Sequence, residues 1–147
     1  MRGVLYCQQN GLNKSCAQVA LRSLCAPRAP GGDISYRAIN RLAGSGGTSV
    51  EPWSGLTVPQ IQAVLKGLGI DFLDVDYAAM PTAERSRLPY QKLLYAGIES
   101  GAGALLGFRL AGAGAQQDAK HIIPFFGHTF NQDTWVPNAG AAYFHVG

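Results

Sequence analysis

Cys16 and His121 are the pair in this chain whose types and setting suit nucleophilic chemistry. A thiol attacks well only as thiolate, a form favoured by the positive end of a helix dipole and by a nearby imidazolium. The dipole contributes about 0.3–1 kcal/mol, whereas each unit of thiol pKa is worth about 1.4 kcal/mol. Reactive thiols are lowered from about 8.5 into the range of about 3.5–7.5. A helix start alone falls short of that, so a histidine is required. With both in place, the sulfur attacks an acyl carbon and the imidazole carries the proton to the leaving group.

The segments that must position these two residues are legible as patterns. Asn10-Gly11 signals a turn, and Ser15 with Gln18 three residues on has the form of a capping box. Ala17, Ala20, Leu21 and Leu24 then recur at helical spacing until Pro27 stops the helix. Cys16 is thereby expected as the first residue of a helix with a buried face. A second helical pattern begins at Asp33 and carries Ile34, Ala38, Ile39 and Leu42. It ends in the linker composition of Gly44, Ser45, Gly46 and Gly47. Thr57, Pro59 and Gln60 open a third helix, with Ile61, Val64, Leu65 and Leu68 on one side, and Gly69 closes it. Residues 70–76 read as a strand, and Pro89 to Ser100 as a further helix with Leu93, Leu94 and Ile98 inward.

The rest of the chain turns strand-like. Ala102 to Leu110 is small and apolar, a glycine-alanine loop follows, and His121 opens a strand through Phe126. Pro124 inside that strand suggests an edge or a bulge. Further strand patterns occupy 134–136 and 141–146. Helices first and an antiparallel sheet after define an α+β fold, with 1–147 as a single domain. The chain ends on an apolar run that would leave a sheet edge open, as in a longer protein cut at that point.

A base needs a third group to hold its ring in the working tautomer. If 121–139 form a hairpin turning near Asn131, Asn138 returns beside His121. Asp133 would then sit at the tip, roughly 25 Å away at about 3.3 Å per strand residue. Asn138 is therefore the expected orienting side chain. Asp133 is the alternative if the base is His128 or the segment is not a simple hairpin. The oxyanion of a tetrahedral intermediate needs donors, and the Cys16 amide at its helix start is one. A carboxamide just upstream is the natural second. Gln8, Gln9 and Asn10 are all near, and Gln9 is preferred for its longer reach.

The stretch from Gln8 to Arg22, with its glutamines, Ser15-Cys16-Ala17 and the helix that follows, resembles the nucleophile helix of papain-like cysteine peptidases. It is most like the bacteriocin-leader-processing branch, in which a glutamine precedes a cysteine that opens a long helix. His121 through Gly127 resembles that branch's histidine strand, and Val136-Pro137-Asn138 falls where the family carries Asp-Pro or Asn. Ala17 stands where the family usually has glycine, and Gln9 lies one residue farther from the cysteine than is usual. The resemblance implies a papain-like fold, N-terminal helices packed on a C-terminal antiparallel sheet. It also implies a thiol-dependent hydrolase cleaving a peptide or amide bond. Phytochelatin synthases and cell-wall amidases share the fold, so the fold alone does not select peptide cleavage.

Composition narrows the alternatives. Net charge is +3 from 12 basic and 9 acidic residues, without a basic stripe, which speaks against nucleic acid. Charged residues make up 14% of the chain, against about 25% in typical soluble domains, and 47% is hydrophobic. Such a chain is neither a disordered tail nor a long charged helix. No apolar run reaches the length of about 20 residues that spans a bilayer, and no signal peptide is visible. Three cysteines do not make a disulfide framework. The expectation is a cytoplasmic, reduced protein with free thiols, no cofactor and no metal, acting on a peptide or protein. His128 with Asn131 and Asp133 offers only one strong metal ligand. A cysteine on an apolar helix is most often simply a small packing residue, the reading given to Cys25. The alternatives to a hydrolase are accordingly a catalytically silent peptide-binding domain of the same fold, or a thiol acyltransferase.

Overall fold

The computed structural model describes residues 14–45, 55–110, 119–128, 138–139 and 144–145. Helix α1 spans Cys16–Cys25, α2 Tyr36–Gly44, α3 Val58–Gly67, α4 Thr82–Arg87 and α5 Tyr90–Glu99. The strands are β1 Ala104–Leu110, β2 Ala119–Phe125, β3 Asn138–Ala139 and β4 Phe144–His145. The architecture is mixed: helices first, then antiparallel strand pairs, β1 with β2 and β3 with β4.

Local chemistry explains the helix bounds. Proline at 27 denies α1 a continuing amide, and the chain tightens into a 3-10 turn over Ala26–Arg28. Helix α2 starts later than the pattern from Asp33 predicts, because Ser35 is its cap: the Ser35 hydroxyl accepts from the Ala38 amide at 3.2 Å. Helix α3 opens with the expected capping box. Thr57 N–H donates to Gln60 Oε1 at 2.9 Å, and Gln60 N–H donates to Thr57 Oγ1 at 3.4 Å. Gly69 ends that helix at φ +68°, a conformation glycine adopts without a Cβ clash.

The capping box expected at Ser15 does not form. Ser15 has φ −87° and ψ 17°, short of the extended backbone that aims a cap side chain at the helix amides. The Gln18 side chain turns instead to α2, where its Nε2 donates to Asn40 Oδ1 at 3.3 Å.

The core lies among the first three helices. Leu21, Ile39 and Val64 are fully buried, joined by Cys25, Ile34, Ala43 and Leu65. Each large apolar side chain removed from water in this way stabilises the fold by about 1.5–3 kcal/mol. Leu105 of β1 packs against the same cluster and ties the sheet to the helices.

Strands β1 and β2 form a regular ladder in which Phe108 faces His121 and Leu105 faces Pro124. Proline thus sits on an edge strand without a bulge, since the side of β2 away from β1 has no ladder partner among the described residues. Residues 70–76, expected as a strand, join no ladder there. Among the described residues the hairpin expected over 121–139 is not seen. The partner of β2 is β1, and Asn138 pairs with His145.

Candidate active site

Cys16 is the first residue of α1, as its sequence context predicts, and its free thiol is partly exposed. Helix α1 packs along β2. Gly103 marks the end they share: a Cβ there would collide with Leu24 Cδ1 and lie 3.6 Å from the Phe125 carbonyl oxygen. Arg28 Nη2, just past α1, donates to the Gly101 carbonyl at the same end, at 3.5 Å. Leu24 is one residue from the end of α1 and Phe125 ends β2, so the two elements bring their C-terminal ends together. Counting back from that end, Cys16 is about 12 Å up the helix and His121 about 13 Å up the strand. Cys16 and His121 are thus separated from that shared end by similar lengths of their own elements.

Their facing is a separate matter. Side chains alternate along a strand, so His121, Phe108, Leu106 and Ile123 share one face of the β1–β2 pair. Leu105, Ile122 and Pro124 share the other, and Leu105 is the residue that reaches the helical core. The His121 ring packs edge-on to Phe108, with centroids 5.6 Å apart. Contact with Cys16 requires the imidazole to reach around the edge of β2 that lies away from β1. No hydrogen bond joins the two side chains.

The remaining candidates are placed less closely. Gln9 and Asp133 lie outside the described residues. Asn138 is the first residue of β3, opposite His145 rather than His121, so hairpin pairing does not bring it to the base. Strand pairing is chosen by which segments meet in the folded chain, and among the described residues β2 pairs with β1, the strand that directly precedes it.

Cys25 is 1% exposed, and burial pushes its thiol pKa up, with the Arg28 charge pulling weakly the other way. It is the packing cysteine that the sequence predicts. His128 meets Glu99 at the end of α5, Nε2 to Oε1 at 2.5 Å, with Tyr95 4.8 Å away ring to ring. The partners are 29 residues apart, and no local pattern announces such a pair.

Concavities are present among the described residues. One, of about 380 Å³, is lined by Lys66, Gly69, Ile70, Asp71 and Phe72. Another, of about 110 Å³, lies among Leu24, Cys25, Arg28, Leu65 and Gly103, at the end of α1 remote from Cys16. Neither is lined by Cys16 or His121. Among the described residues no three His, Cys, Asp or Glu side chains are grouped to hold a metal ion. No helix there is long and apolar enough to cross a membrane. Comparison of the chain with known protein families, with curated proteins and with solved structures finds no match.

Proposed function

We propose that this chain is a thiol-dependent hydrolase of papain-like architecture that cleaves a peptide or amide bond, with Cys16 as nucleophile and His121 as base. The observation that supports this reading is a thiol open at the start of α1, the helix that packs against the strand carrying His121. His121 takes the thiol proton as sulfur bonds to the acyl carbon. It returns that proton to the leaving amine as the carbon–nitrogen bond breaks. Water then adds to the thioester, releasing the acid and restoring the thiol. The Cys16 amide and the Gln9 carboxamide stabilise the oxyanion, and Asn138 or Asp133 orients the imidazole. Such a protein works in the cytoplasm without cofactor, on a peptide or protein substrate.

A second reading, the catalytically silent peptide-binding domain, is favoured by the missing Cys16–His121 hydrogen bond and by the face His121 occupies. Free enzymes often show such bonds long or misaligned until substrate closes the site, so that geometry does not exclude catalysis. Alkylation separates the readings. In a hydrolase, Cys16 reacts with iodoacetamide at about pH 6, and His121→Ala removes that reactivity. An identical rate–pH profile in wild type and His121→Ala sinks the enzymatic reading. Products formed with and without an added amine divide hydrolysis from acyl transfer.

A further inference from the structure

Residues 71–76, Asp-Phe-Leu-Asp-Val-Asp, run without helix, turn or bend and all lie exposed. Leu73 is 85% exposed and Val75 39%. Along 71–74 neither backbone N–H nor C=O has a partner among the described residues, although both flanks are bonded. Ile70 N–H donates to Leu65 O at 2.9 Å, and Tyr77 N–H to Val75 O at 3.0 Å. The segment is also held from the side, with Gln62 Nε2 on Asp74 Oδ2 at 2.8 Å. It is thus anchored chain with open hydrogen-bonding groups, the form to which another strand adds. Anchoring lowers the ordering cost of such an addition.

Its side chains specify the visitor. Three carboxylates are interspersed with apolar groups, and among the described residues none of the three forms a salt bridge. We propose that Asp71–Asp76 is a docking strand for an extended basic peptide in which lysine or arginine alternates with apolar residues. Backbone bonds supply affinity, and the carboxylates select positive side chains and reject negative ones. Ile70 and Asp71 line the cavity at the end of α1 remote from Cys16, so this surface stands apart from the proposed thiol site.

The test uses the full chain and two labelled peptides, one alternating lysine and valine, the other glutamate and valine. Fluorescence anisotropy is expected to show binding of the lysine peptide, weakening with salt, and no binding of the glutamate peptide. Amide exchange at 71–74 is expected to slow only when the lysine peptide is present. Leu73→Ser and Asp71→Lys, both at exposed positions, are each expected to weaken binding about tenfold. Equal binding of both peptides, or unchanged exchange at 71–74, overturns the proposal. So does protection in the free chain: if it grows with protein concentration the occupant is a second copy, and if it does not, another segment of this chain.

Discussion

Arg22 grips Asp33 with two prongs: Nε donates to Oδ1 at 3.0 Å and Nη2 to Oδ2 at 2.7 Å. The same guanidinium lies over the Tyr36 ring, 5.1 Å from its centroid. Asp33 also accepts from the Ile34 amide at 2.7 Å. One planar cation thereby fastens α1 to the segment that leads into α2, a task for which the fork of arginine suits better than lysine. The Arg22 hydrogen bonds hold the Asp33 carboxyl below its ordinary value of 3.8, with the Ile34 amide adding to them and partial desolvation opposing.

A carboxyl lowered in the folded state contributes stability above its ordinary value and loses it as pH falls through the lower folded value. Urea midpoints should therefore drop as the solution is acidified below about 3.8, the unfolded reference. Asp33→Asn should flatten that part of the pH profile while starting lower near pH 7. A profile left unchanged by the Asp33→Asn substitution would remove the pair from the account of acid sensitivity.

The two described thiols should differ sharply in accessibility. Mass spectrometry after brief alkylation of the native protein should find label on Cys16 and little on Cys25, with full labelling of Cys25 only in denaturant. The raised Cys25 pKa carries its own sign. Above the ordinary value of 9.0 the unfolded chain loses this proton first, so stability should fall as pH rises past that point.

Ile39 is fully buried where α1, α2 and α3 meet. Ile39→Ala should cost about 2–5 kcal/mol in denaturant unfolding, and Ile39→Val about 0.5–1.5 kcal/mol, because both the lost transfer energy and the cavity scale with the atoms removed. Equal costs for the two would mean that the site collapses freely.

Thr57→Ala removes one half of the α3 capping box and should cost about 1 kcal/mol, whereas Thr57→Ser should be close to neutral. The same unfolding measurement decides it. A cost near zero for alanine would assign the helix start to Pro59 and burial rather than to the cap.

How much of this was readable from the chain follows from distance along it. The cap of α3, its closing glycine, the stop after Cys25 and the place of Cys16 all depend on residues within about four positions of each other. Each partner is present in the sequence window itself, so the inference holds. Ser15 shows the limit of even that rule, because Gln18 found a partner on α2 and the backbone at Ser15 did not extend.

The β pairings, the grip of Arg22 on Asp33 and the meeting of His128 with Glu99 were decided elsewhere. The strand pattern along 70–76 is as good as that along β1, yet only β1 entered a ladder, because a ladder needs a second strand brought alongside. The face given to His121 was settled in the same way, by the register with Phe108 and the burial of Leu105. Composition and local pattern determined which segments become helices and that a cysteine opens the first. Tertiary structure alone decided which segments lie together, since those contacts depend on burial shared between residues far apart in the chain.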